Sequence, residues 1–210
     1  MKVGFFGKLP GQADFVGRGL TPAVQAAVDD WLAGCLQRLQ TASPADWLAR
    51  YLASPSWRFV WMADATAAPL RGETWAGALL PSVDSVGRYF PLLLLANVPP
   101  DCELPALLSW LEALDALGAQ ALDEDWQPDA LMAALPAPPA SSGLPATDIN
   151  AMLGAEARQV WLAANRGSCF WLCAAEAYQT RWLRSEGLTD EGLDAALFGL
   201  AGLTPAAASQ

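Results

Sequence analysis

The sequence contains no histidine. Its absence removes the commonest general base, the usual base of a nucleophilic triad and the commonest metal ligand. Charge is also scarce. Only 16% of the 210 residues are charged, and 22 acids against 12 bases leave a net charge of −10. An acidic surface argues against nucleic acid, whose binders need lysine and arginine to displace counterions. The four cysteines, Cys35, Cys102, Cys169 and Cys173, form no disulfide framework. Cys169 and Cys173 share one predicted strand, where four residues span roughly 13 Å, too far for one metal ion or a disulfide. They read as small buried apolar residues. Long apolar runs are missing too. The longest uncharged one, Phe90–Pro100, includes Pro91, Pro99 and Pro100 and is too short to span a bilayer. Met1-Lys2 leads into only four residues before Gly7-Lys8, unlike a secretory leader. The expectation is a soluble, cytoplasmic chain without membrane insertion and without a cofactor.

What is present is hydrophobic and aromatic. The chain is 53% hydrophobic with ten tryptophans, which excludes disorder and allows a large core. Its length suits a single domain spanning residues 1–210. The rest of the chain is organised around Pro81-Ser82-Val83-Asp84-Ser85-Val86-Gly87-Arg88-Tyr89-Phe90-Pro91. This segment lies between two short, uncharged apolar runs, Trp75–Leu80 and Leu92–Val98, which read as strands buried on both faces. Proline cannot donate to a sheet ladder, so Pro81 and Pro91 mark strand ends. Between them stand a carboxylate, a guanidinium, two hydroxyls and a glycine. Asp84 and Arg88 are placed to pair and fix the loop. Because Tyr89-Phe90-Pro91 runs into the core strand, Arg88 is expected to be buried and Asp84 partly exposed.

Earlier, Val3–Phe6 reads as a first strand entering the loop Gly7–Phe15. The Gly7-Lys8 pair is not a phosphate-binding loop. The required earlier glycine is replaced by Lys2, and the required hydroxyl residue by Leu9. Thr21-Pro22 is a helix start, and Val24, Val28, Trp31, Leu32, Cys35, Leu36 and Leu39 predict a helix to about Gln40. A second helix carries Trp47, Leu48, Tyr51 and Leu52, and Trp57–Met62 is strand-like. From Glu103 to about Leu122 an apolar stripe of Leu104, Leu107, Leu108, Leu111, Leu114 and Leu117 predicts a helix. It is expected to stop before Asp123-Glu124-Asp125. A short helix over Pro128–Leu135 is followed by a proline-rich excursion at 136–145. Then come a helix from Asp148 to about Ala163, a strand Ser168–Ala174, an edge strand Arg181–Arg184, a helix Asp190–Leu200 and a loose tail from Thr204. The order predicts an α/β fold, a three-layer α/β/α sandwich around a mixed sheet.

Gly4-Phe5-Phe6-Gly7-Lys8-Leu9-Pro10 followed by Asp14-Phe15, together with Trp75-Ala76-Gly77 and the Pro81–Pro91 segment, resembles the TagF (ImpM) family of accessory proteins of bacterial type VI secretion. The resemblance is strongest over Val3–Val98. It is weaker beyond, resting there on Ser168-Cys169-Phe170-Trp171 and the last helix. It implies a cytoplasmic post-translational repressor of secretion acting through a forkhead-associated-domain scaffold protein. It carries over no catalytic residue. One position departs from the family pattern: Ala13 stands where a glycine usually precedes the Asp-Phe pair. If that position needs a positive φ, the loop must rearrange.

Two functions from different classes fit the residues. A protein-interaction regulator would present Lys8, Asp14 and Arg18 from one loop and Ser82, Asp84 and Arg88 from the other. In that setting an Asp14–Arg88 ion pair would hold the loops together. The alternative is a histidine-free hydrolase or transferase, with Ser82 and Lys8, or Asp14 and Asp84, as nucleophile or acid–base pair.

Overall fold

The computed structural model describes residues 3–141, 157, 159–175, 179–189 and 192–198. Seven strands, β1 (Val3–Gly7), β2 (Val16–Arg18), β3 (Trp57–Trp61), β4 (Thr74–Leu80), β5 (Leu92–Val98), β6 (Ser168–Ala175) and β7 (Gln179–Glu186), form one sheet in the order β2-β1-β5-β4-β3-β6-β7. Every pairing is antiparallel. The expected mixed sheet is therefore corrected. Continuous apolar strands call for cover on both faces, and an antiparallel sheet with both faces buried reads the same way as one with parallel neighbours.

The helices among the described residues include α1 (Pro22–Ala42), α2 (Trp47–Leu52), α3 (Leu104–Asp123), α4 (Pro128–Ala134) and α5 (Leu193–Phe198). The Thr21 hydroxyl caps α1 by accepting from the Val24 amide at 3.3 Å, and Pro22 opens its first turn. Strand side chains alternate between two buried clusters, as a period of two requires. Phe6, Trp57, Phe59, Trp61, Leu79, Leu93, Leu95 and Trp171 meet Val28 and Leu32 of α1, Tyr51 of α2 and Phe198 of α5. Phe5, Ala76, Ala78, Leu80, Leu92, Leu94 and Ala96 meet Leu111 and Leu114 of α3 and Leu131 of α4. On α3 the expected stripe holds at Leu107, Leu111 and Leu114, with Leu117 partly buried, and fails at two of its leucines. Leu104 and Leu108 are exposed, and Trp110, Gly118 and Ala121 are buried.

Beyond residue 141 the agreement is partial. Residues 159–164 are helical, while most of the helix expected from Asp148, the end of the proline-rich excursion and the tail lie outside the described residues. The edge strand is longer than expected, Gln179–Glu186 instead of Arg181–Arg184, and closes one end of the sheet. Cys35, Cys169 and Cys173 are buried in the α1-side core, and Cys102 is partly exposed. None of the helices among the described residues is long and apolar enough to cross a membrane.

Candidate functional site

β4 ends at Leu80 and β5 begins at Leu92, so the two prolines do bracket the loop. Within it the chain folds back on itself. Val83 and Tyr89 form an antiparallel bridge, and the Asp84 amide donates to the Arg88 carbonyl at 3.0 Å. Gly87 turns the corner with φ +82°, in the region where glycine is favoured. The turn is anchored from α2. The Tyr51 hydroxyl donates to the Ser82 carbonyl and accepts from the Ser82 amide, both at 2.8 Å. Burial pushes the Tyr51 phenol up, so it stays protonated and can serve both roles.

Asp84 is the centre of this arrangement. One carboxylate oxygen accepts from the amides of Val86 (3.0 Å) and Arg88 (2.8 Å). The other accepts from the Lys8 ammonium at 2.6 Å and from Arg88 Nε at 2.7 Å. Lys8 is 3% exposed and Asp84 4% exposed, so this is a buried ion pair with its acceptor sites filled. Burial alone would raise the carboxyl's pKa. The Lys8 ammonium, the Arg88 amide and guanidinium and the Val86 amide together outweigh it and hold the group well below the usual carboxylate range. The two loops are joined again by the Ser82 hydroxyl, which donates to the Lys8 carbonyl at 2.8 Å, and by the Ser85 amide, which donates to the Gln12 carbonyl at 2.9 Å.

The expected exposures are reversed. Asp84 is buried, whereas the Arg88 side chain is 55% exposed. Arg88 reaches from the turn across the first loop, donating to the Ala13 carbonyl and lying 3.4 Å from Asp14. The Asp14–Arg88 contact anticipated from sequence is therefore present. Asp14 itself is almost fully exposed, so screening keeps that contact weak. Arg18 lies apart, on β2, paired with Asp129 of α4 at 2.9 Å. Ala13 does not have a positive φ, so the family's usual glycine is not required at this position here.

Phe15 completes the site. It stacks on Phe6 at 5.6 Å and meets Phe90 edge-on at 4.8 Å, while Lys8 Nζ lies 4.3 Å from its ring centroid. Phe15 is still 47% exposed, and Val86 at the loop tip is 63% exposed. Sequence reasoning did not single out Phe15, Val86 or Tyr51 as site residues. Phe15 was legible only as half of the Asp-Phe pair, and the Tyr51 contact spans 31 residues.

The predicted residues thus separate by depth. Lys8, Ser82 and Asp84 are buried and bonded to one another's loops; Asp14, Arg18 and Arg88 stand at the surface. The pairings needed for the hydrolytic alternative are not formed. The Ser82 hydroxyl bonds a carbonyl, the Lys8 ammonium bonds Asp84, and Asp14 faces Arg88 instead of Asp84.

Comparison with known proteins gives the same region. No curated protein matches the chain. The crystal structure of PA0076 from Pseudomonas aeruginosa PAO1 is similar, at 29% identity over 99% of this chain and 99% of that one, with a TM-score of 0.76. The family model for the TagF N-terminal domain, described as type VI secretion system-associated, matches residues 4–137. That span contains both loops and the Lys8–Asp84 pair, and it takes in well over half of the sequence. The chain belongs to the TagF family of type VI secretion system-associated proteins.

Proposed function

We propose that this protein is a cytoplasmic, non-enzymatic regulator that represses type VI secretion after translation by binding a forkhead-associated-domain scaffold protein through the two joined loops. The observation that carries the reading is the saturation of Asp84. A buried carboxylate with four donors serves as a rigid clamp, and it leaves the surface residues around it free to contact a partner. The commitment of Ser82 and Lys8 to structural bonds supports a binding role over a catalytic one. The two buried clusters support the three-layer arrangement, with helices covering both faces of the sheet. The pairing of β6 with β3 supports a single domain.

The test is direct titration of the scaffold protein with the full chain, beside a secretion assay in a strain lacking this protein. Binding with a Kd tighter than about 10 μM, about −7 kcal/mol, is expected, together with restored repression. A wild-type chain that represses secretion without touching the scaffold would remove the proposed partner.

A further inference from the structure

We propose that the face around Phe15 takes a protein surface with a cationic rim around an apolar recess; this rests on the binding role proposed above and names the chemistry of its partner. Two exposed apolar residues border the buried Lys8–Asp84 pair, Phe15 over the Lys8 ammonium and Val86 through its amide bond to Asp84. Phe15 is fixed by Phe6 and Phe90 and by the Lys8 ammonium beneath it, so little freedom is lost when a partner covers it.

A third segment borders the same face. The turn between α3 and α4 packs against the first loop. Gln12 donates to Gln127 at 2.8 Å, Arg18 pairs with Asp129, and a Cβ added at Gly11 would lie 3.2 Å from the Asp125 carbonyl. The turn carries exposed carboxylates, Glu124 and Asp125, to the Gly11–Gln12 part of the first loop, and Asp129 follows in the first turn of α4. The nearby cations do not balance them. Lys8 is buried and used by Asp84, Arg88 is shared between Asp84 and Asp14, and Arg18 answers Asp129 alone, which leaves Glu124 and Asp125 in excess. Apolar knobs with a surplus of surface carboxylate around them complement a recess ringed by lysine or arginine. The same surplus disfavours an anionic membrane surface or nucleic acid.

The experiment is calorimetric titration of the scaffold protein into the full chain at about 50 and about 300 mM NaCl, across which surface electrostatics is progressively screened. The double variant Glu124→Gln/Asp125→Asn removes charge with little change of shape and leaves the Arg18–Asp129 pair in place. Asparagine tolerates the positive φ that Asp125 adopts, and glutamine keeps the acceptor that Glu124 offers Trp126. Wild-type affinity is expected to fall by about tenfold or more from low to high salt, and the double variant at low salt to bind about tenfold more weakly with an unchanged melting temperature. Phe15→Leu, which keeps the loop packed, is expected to lose affinity to a similar extent at both salt concentrations. If the scaffold binds and neither salt nor these substitutions alters the affinity, the proposed face is wrong while the regulator reading stands. If the wild-type chain fails to bind the scaffold at either salt concentration, both fall together.

Discussion

Asp84 has no acceptor capacity left for a partner or a substrate, and that decides what its neighbours do when altered. Lys8→Ala leaves a buried carboxylate held only by Arg88 and two amides. Breaking a buried pair costs on the order of 3–5 kcal/mol, and with those donors remaining the lower figure applies. For a chain of this length the melting temperature should drop by roughly 6–12 °C, and a drop below about 2 °C would show that the pair is not a clamp. Arg88→Gln should lose less, because its side chain is half in water and both amides still reach Asp84. The pH dependence has a definite sign. The folded carboxyl titrates below its ordinary value of 3.8, so its contribution is complete above that value and is lost as pH falls further towards the folded pKa. Wild type should therefore lose melting temperature more steeply than Asp84→Asn between about pH 4 and pH 2. Parallel curves would mean that Asp84 is not the titrating group. The pairing of Asp84 with Arg88 was legible in the sequence, but its depth was not. A tight turn tucks the short carboxylate inward, and a long arginine keeps its guanidinium in water while its stem covers the loop.

The strands flanking the central loop were legible because proline marks their ends and no polar residue interrupts them. β2 was not. It has three residues with glycine in the middle, and only its register with β1 makes it a strand. Helix α3 was legible in extent and, at Leu107, Leu111 and Leu114, in the face it buries, but not in the whole of that face. Leucine recurs on several of its faces, whereas the buried Gly118 and Ala121 give no hydrophobic signal. Those small residues point to a second constraint, close approach. In β4, a Cβ on Gly77 would stand 1.9 Å from the Leu94 carbonyl oxygen of β5, a backbone atom that cannot yield without parting the strands. Gly77→Ala is expected to cost about 4 kcal/mol or more, at the extreme of single substitutions. Gly87→Ala is the control. Its φ is +82° but nothing lies within 4 Å, so only the backbone conformation opposes a side chain, at about 1–2 kcal/mol. Chemical denaturation of the two variants measures the difference. Equal losses would show that strand spacing at Gly77 adapts to a methyl group.

Strand order was the least legible level, because β1–β5 and β3–β6 are pairings between segments distant in sequence, and no local pattern announces them. They determine whether the matched region can stand alone. The family model ends at residue 137, before β6, β7 and α5. Yet β6 supplies β3 with its outer neighbour, and Cys169, Trp171 and Cys173 enter the α1-side core with Leu193, Leu197 and Phe198. Two tryptophan contacts, one partly and one fully buried, reach the same distance. Trp31 Nε1 donates to the Leu188 carbonyl at 3.1 Å and Trp57 Nε1 to the Leu197 carbonyl at 2.9 Å. A fragment ending at Ser141 would expose the edge of β3, with Phe59 and Trp61 uncovered and the Trp57 indole without its acceptor. An open apolar edge of that kind templates association. The fragment should therefore be insoluble, or soluble without a cooperative unfolding transition, although both loops and the Lys8–Asp84 pair lie within it. Trp171→Ala in the full chain should cost about 3–5 kcal/mol and lower the midpoint of the whole transition, because that ring touches Trp31 of α1 and Phe59 and Trp61 of β3. If the fragment instead melts cooperatively and keeps the wild-type response to Lys8→Ala, the clamp belongs to a self-sufficient N-terminal unit. The last two strands would then be an addition to its sheet and not a part of what holds it folded.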